Sequence, residues 1–184
     1  MLEEIAEQVR VCTKCALCQA RIHAVPGEGP EDAAIMFIGE GPGAREDALG
    51  RPFVGPAGQL LNQLLLQAGL RRPEVFITNI VKCRPPGNRD PLPEETAACH
   101  EYLVGQIAAI NPSVICVLGR PALQALIDPT LSISREHGVP RVIDGITYVP
   151  LYHPAAALHQ QSLAPVLVED MKRLAPFLGK RAGG

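Results

Sequence analysis

Six cysteines are the first residues in this chain whose types and spacing could do chemistry. Cys12 and Cys15 form a C-x-x-C pair, and Cys83 and Cys99 form a wider pair in the middle of the chain. A site of four cysteines binds zinc or an iron-sulfur cluster, and spacing alone does not separate the two. Cys18 extends the first pair to C-x-x-C-x-x-C, but Ile22 stands where a ferredoxin-like run has its fourth cysteine, which leaves Cys18 as a free thiol. Cys116, inside Val114-Ile115-Cys116-Val117-Leu118, reads as a small buried hydrophobe. In an intracellular chain this usage argues for metal ligation or redox chemistry and against a disulfide scaffold.

A second set of candidates is polar and scattered: Glu40, with Glu46 and Asp47 close behind, then Asn79, then His153. What could gather them is the pattern of apolar, β-branched runs at Ala34 to Ile38, Val75 to Thr78, Val114 to Leu118 and Ile146 to Leu151, which read as buried strands. Helical stretches lie between them at Gly58 to Ala68, Glu94 to Ile110 and Pro121 to Ile127, and a last one runs from about Ser162 to Leu178. Alternating strands and helices predict a parallel sheet covered on both sides. Glu40, Asn79, Arg120 and His153 each sit at or just beyond a strand end, and in such a sheet those ends share one edge, where ligands bind. The competing reading is that Asn79 caps a turn and His153 caps the following helical segment.

Gly39-Glu40-Gly41-Pro42-Gly43-Ala44 satisfies the dinucleotide pattern G-x-G-x-x-G/A, but Pro42 interrupts it. Loop is expected from there through Arg51-Pro52-Phe53-Val54-Gly55, and Thr78-Asn79 replaces the acidic residue that would hold a ribose. A nucleotide cofactor is not expected. A carboxylate such as Glu40 near a reacting sugar stabilises positive charge at the anomeric carbon and orients water. Asp47 reads as an exposed loop charge. Phe53, in a chain with few aromatics, stands on the loop above the crevice, where a flat base could stack on it.

The totals set bounds. With 184 residues, 47% of them hydrophobic, the chain has material for one core, expected as a single domain over 1–184. The first ten residues read as a short amphipathic helix and not as a signal peptide, and no apolar run is long enough to span a bilayer, so a cytoplasmic protein with no membrane contact is expected. A formal charge of −2 gives no bulk attraction to a polyanion, so any contact with DNA must come from local basic groups such as Arg71 and Arg72, Lys82 with Arg84 and Arg89, or Lys172 and Arg173. Residues 180–184 read as a flexible tail.

Taken together, Gly39-Glu40-Gly41-Pro42-Gly43 with Glu46-Asp47, Gly50-Arg51-Pro52-Phe53-Val54-Gly55, Thr78-Asn79-Ile80-Val81-Lys82-Cys83-Arg84-Pro85-Pro86 and His153-Pro154-Ala155 closely resemble the family 4 uracil-DNA glycosylases. The match runs in order from Cys12 to about Leu158. The resemblance implies a three-layer α/β/α fold with a central four-stranded parallel sheet, and a 4Fe-4S cluster held by Cys12, Cys15, Cys83 and Cys99, with residues 1–25 as the amino-terminal cluster-binding segment. It implies that uracil in single- or double-stranded DNA is flipped out and its glycosidic bond hydrolysed, leaving an abasic site, by an enzyme acting as a monomer.

The resemblance also implies roles. Glu40 would orient water and stabilise the sugar cation, Phe53 would stack on the base, Asn79 would read its edge, and His153 would hydrogen-bond the carbonyl oxygen that gains charge. The backbone at Gly41 and Pro42 would line the pocket. Thymine carries one methyl group more than uracil and must be excluded sterically, and the segment from Gly43 to Glu46 is expected to close that side. Leu158 is the expected wedge into the duplex, although Ala156-Ala157 and His159 depart from the family's usual pattern there. Pro85 to Pro93 contains no histidine for covalent capture of DNA, and no lysine sits in the pocket motifs to form a Schiff base. Lys82, the nearest, is expected to face phosphate. Two other readings remain: a catalytically inactive iron-sulfur nucleic-acid-binding protein on the same fold, and a zinc-stabilised nucleotide-binding α/β protein.

Overall fold

The computed structural model describes residues 1–178, so the expected tail at 180–184 lies outside the described residues. The apolar runs become strands β1 (Ile35–Gly39), β2 (Phe76–Asn79), β3 (Val114–Leu118) and β5 (Ile146–Leu151), paired in parallel in the order β2, β1, β3, β5. The four expected parallel strands are present, and among the described residues the sheet count is corrected from four to five. A short strand β4 (Arg141–Ile143) adds antiparallel to the outer edge of β5. Asp144 and Gly145 join the two with φ of 50° and 81°, the left-handed conformations a tight hairpin turn needs. This Asp-Gly is a hairpin signal, but the strand before it is only half-buried and lacks an apolar run.

Neighbouring residues on the central strand β1 point to opposite faces. Ile35 and Phe37 pack with Leu61, Leu64 and Leu65 of α3 (Pro56–Gln67) and Leu167 and Met171 of α8 (Leu163–Lys172). Met36 and Ile38 pack with Leu103 and Ile110 of α4 (Pro93–Ile110) and Leu123 of α5 (Arg120–Leu126). Burial on both faces is why β1 and β3 are continuous apolar runs and not alternating ones. The last helix ends at Lys172, earlier than expected, and Pro176 lies in a separate 3-10 turn at Ala175–Phe177.

The expected loop after β1 is also corrected, because it contains α2 (Ala44–Leu49), closed by Gly50 at φ 70°. Asp47 on this helix is not an exposed charge. It is buried, and its carboxylate accepts the N–H groups of Ile22 and His23, at 2.8 and 3.3 Å. Asp47 thus fastens the amino-terminal segment to the pocket loop. That segment includes α1 (Leu2–Arg10), which packs on α4, and it contributes Val9 and Leu17 to a third apolar cluster that Val81 and Tyr102 complete around the cysteines. Among the described residues, no helix is long and apolar enough to cross a membrane.

Candidate active site and cysteine centre

The carboxyl ends of β1 and β2 lie side by side, with Gly39 paired to Asn79 in register. A Cβ on Gly39 would stand 2.6 Å from Asn79 Oδ1 and 2.7 Å from the Phe53 ring, so only glycine lets these two groups close over the strand end. At the end of β5, His153 is the N-cap of α7 (Pro154–His159), and its Nδ1 accepts the Ala155 N–H at 3.0 Å. An Nδ1 that accepts leaves the ring proton of a neutral imidazole on Nε2. Burial pulls the His153 pKa down to about 4, so the ring is a neutral Nε2–H donor at physiological pH. Capping and ligand binding are therefore compatible roles for this residue.

Asn79, His153 and Phe53 share one hollow of about 390 Å3 with Gly41, Glu46 and Leu158. Its size suits a small-molecule site. Asn79 Oδ1 is buried and has no hydrogen-bond partner, which is costly unless a ligand supplies one. The Phe53 ring stacks on that of His153, with centroids 5.6 Å apart. Glu46 closes another side, where its Oε1 accepts the Gly55 N–H at 3.3 Å. Leu158, 45% exposed, stands at the mouth on the last turn of α7.

Two sequence candidates fall outside that wall. Pro42 is buried and does not line the hollow. Glu40 also does not line it, and its carboxyl instead shares a hydrogen bond with Asp90. Burial and the adjacent Asp90 charge push the Glu40 pKa up to about 7, partly opposed by Arg120, which is itself paired with Asp90 at 2.7 Å. The expected three-way meeting thus brings Asn79 and His153 into one hollow and leaves Glu40 turned aside at its rim.

Arg72 and Lys82 hold the site in ways their sequence context hides. Phe53 sits at φ 49°, a left-handed conformation that costs a bulky residue about 1–3 kcal/mol. The Arg72 guanidinium donates to the carbonyls of Pro52 and Phe53 at 2.5 and 2.7 Å and fixes that turn. A Cβ on Gly58 would come within 1.9 Å of the Phe53 carbonyl, so α3 supports the turn from below. Lys82 does not face phosphate. It is 1% exposed, and its Nζ donates to Thr78 Oγ1, the Asn79 carbonyl and Gln106 Oε1. Burial pulls its ammonium down to about 7, opposed by charge at Cys99, while its three acceptors match the N–H bonds of the protonated form. The other basic groups are largely engaged by carboxylates: Arg71 by Glu74, Arg89 by Glu95 and Lys172 by Glu169.

Cys12, Cys15, Cys83 and Cys99 line one pocket, with Cys18 beside them and walls from Val9, Leu17 and Tyr102. None of these cysteines is in a disulfide. Burial raises the thiol pKa values of Cys15 and Cys83 and pushes Cys99 to about 11, so a metal charge is needed to hold them as thiolates. Donors for such sulfurs are in place: Arg21 reaches Cys83 Sγ at 3.1 Å, and the Lys82 N–H reaches Cys99 Sγ at 3.3 Å. Among the described residues, no three His, Cys, Asp or Glu side chains converge as ligands of a single ion. Four cysteine sulfurs gathered on one pocket wall are the donor set of a thiolate-bound zinc or iron-sulfur centre. Cys116 is fully buried in β3, well away from titrating chemistry because burial raises its thiol strongly.

Comparison with known proteins agrees with this geometry. The sequence model of the uracil DNA glycosylase superfamily matches residues 26–175. The chain is 45% identical to a type-4 uracil-DNA glycosylase of Thermotoga maritima, over 98% of this chain and 96% of that one. It is 48% identical to a type-4 uracil-DNA glycosylase of Sulfurisphaera tokodaii, over 94% and 83%. A type-5 uracil-DNA glycosylase of Thermus thermophilus is 39% identical over a smaller share, 56% of this chain and 53% of that one. With near-complete coverage by the type-4 proteins and a glycine-floored hollow at its strand ends, the chain belongs to the uracil DNA glycosylase superfamily and, within it, to the type-4 family.

Proposed function

We propose that this protein removes uracil from single- and double-stranded DNA in base-excision repair, hydrolysing the N-glycosidic bond and leaving an abasic site. The observation that carries this reading is the buried, partnerless Asn79 Oδ1 facing the same hollow as the neutral imidazole of His153. An amide there pairs with the N3–H and a carbonyl of uracil together, whereas cytosine presents an amino group and a bare nitrogen. Phe53 stacks on the flipped base, Gly41 supplies backbone around it, and Glu46 crowds the position of the thymine methyl. Water adds to the anomeric carbon as the bond to the base breaks, and the proton it sheds ends on the departing base anion. The bonding electrons leave with the base, and His153 Nε2–H hydrogen-bonds the carbonyl oxygen that receives the charge. Glu40, turned from Asp90 toward the sugar, orients the water and opposes the positive charge on the ring. Leu158 fills the space the flipped nucleotide vacates.

Among the described residues that line the hollow there is no lysine to form a Schiff base, which supports a monofunctional enzyme. A labelled single strand with one uracil should lose the base yet stay intact until alkali is added. Nicking at the rate of base release, without alkali, would overturn this.

The same reading makes the chain one glycosylase domain, with residues 1–25 as the segment that helps close a 4Fe-4S cluster. Cys12, Cys15, Cys83 and Cys99 would hold that cluster, which supplies a structural cross-link and no step of the reaction. Purified protein should be brown, absorbing at roughly 400 nm. Cys18→Ala and Cys116→Ala should keep the colour and Cys83→Ala should lose it. Colourless protein containing zinc would contradict the assignment. The reading also takes the enzyme to be cytoplasmic, to act as a monomer and to use no nucleotide cofactor.

A further inference from the structure

Lys82 lies between the cysteine pocket and the base pocket and is buried to 1% exposure. Its main chain faces the cysteines: the N–H donates to Cys99 Sγ at 3.3 Å, and the next residue is Cys83. Its side chain turns the other way and spends its amino group on Thr78 Oγ1 at 2.5 Å, Gln106 Oε1 at 2.7 Å and the Asn79 carbonyl at 3.0 Å. Thr78 Oγ1 and Gln106 Nε2 both donate onward to the Pro26 carbonyl, at 2.9 and 2.8 Å. The result is a closed buried network joining the end of β2, the middle of α4 and the amino-terminal segment.

The position of β2 explains why Asn79 needs this partner. As an edge strand of the sheet, β2 has, among the described residues, no neighbour strand beyond it except a single bridge between Glu28 and Ile77. The Asn79 carbonyl, at the last residue of the strand, would be buried and unpaired without Lys82. Holding that carbonyl fixes the peptide from which the Asn79 amide projects toward Gly39 and the Phe53 ring.

We propose that Lys82 is a positioning residue for base selection: its amino group locks the Asn79 main chain and ties the base-reading amide to the cysteine centre on the other side of the same residue. The proposal rests on Asn79 reading the base edge. It predicts that the two pockets are mechanically linked, so that a change at residue 82 alters recognition without touching the base.

Lys82→Met keeps the length and apolar stem and removes every donor. In the cluster-loaded protein, free uracil and free cytosine are used as competitive inhibitors of excision, and absorbance near roughly 400 nm per chain is followed. Lys82→Met should keep the absorbance, bind free uracil about tenfold more weakly, and narrow the preference for uracil over cytosine, a change that lost stability alone does not produce. Thr78→Val, which removes one leg of the network and leaves Gln106 on the Pro26 carbonyl, should shift uracil binding the same way by a few fold, and it decides the matter if Lys82→Met does not fold. Unchanged uracil binding in a coloured Lys82→Met protein, or in Thr78→Val when Lys82→Met is lost, would overturn the proposal. If Asn79→Ala binds uracil as well as the wild type, the reading of Asn79 fails and the proposal falls with it.

Discussion

Replacing His153 by alanine is expected to slow uracil release at saturating DNA by about 100- to 1000-fold, the usual cost of losing one donor to a developing oxyanion. Ground-state binding should change far less, because the bond strengthens only as charge builds on the base. Single-turnover rates beside DNA-binding constants measure this split. The substitution also removes the cap on α7, worth about 1 kcal/mol of stability. His153→Asn, whose side-chain oxygen can still accept the Ala155 N–H, separates the two roles: it should recover stability more fully than rate. Equal losses in binding and rate would mean that His153 merely shapes the pocket.

The pH profile gives this prediction a second edge. With a pKa of about 4, His153 is neutral throughout the ordinary working range and should contribute no limb between about pH 5 and 8. Glu40 should contribute one. Its carboxyl, raised to about 7 by burial and by Asp90, becomes protonated as pH falls through that value, and activity that needs the carboxylate falls with it. Asp90→Asn removes the repulsion and should move this limb to lower pH. Arg120→Gln removes the opposing cation and should move it higher. An acid limb that ignores both changes would remove Glu40 from the chemistry.

Asn79→Asp is expected to have the second large effect. The side chain keeps its shape but loses its N–H donor, so a carboxylate oxygen would face a uracil carbonyl. Loss of a buried hydrogen bond plus repulsion should cost about 3 kcal/mol, or more than 100-fold in the rate on uracil. Cytosine, whose amino group can donate to the carboxylate, should lose nothing comparable, and the preference between the bases should collapse. Parallel rates on uracil- and cytosine-containing oligonucleotides measure it. A variant that loses activity yet keeps the full preference would place base selection elsewhere.

Much of this site was legible in the sequence because strand ends are. Apolar β-branched runs predict β1, β2, β3 and β5, and a parallel sheet puts the residues at their carboxyl ends on one edge, which is how Asn79 and His153 come to share a hollow. The cysteine pairs were legible as a set for the same reason, since Cys83 lies a few residues past the end of β2 and Cys99 on the helix that packs beside it. The direction of individual charged side chains could not be read. Asp47 looks like a solvated loop charge until α2 turns it onto the N–H groups of Ile22 and His23. Lys82, flanked by Cys83 and Arg84, looks like a phosphate contact until the edge position of β2 leaves a carbonyl for it to satisfy. Glu40 stands just past a strand end as expected, but its orientation depends on Asp90, fifty positions away and on a loop with no periodicity. Phe53 was legible as an aromatic on a loop, whereas its left-handed turn depends on Arg72 arriving from beyond α3.

One experiment bears most directly on a pocket built from Asn79 and His153. A single-stranded oligonucleotide of mixed sequence, carrying one uracil among thymines and cytosines, is incubated with the purified protein, and the free bases released are identified and counted. Uracil alone should appear, up to one per strand, and release should fall by at least about 100-fold with either Asn79→Asp or His153→Ala. Release of thymine or cytosine at a comparable rate, or uracil release that survives both substitutions, would contradict the account.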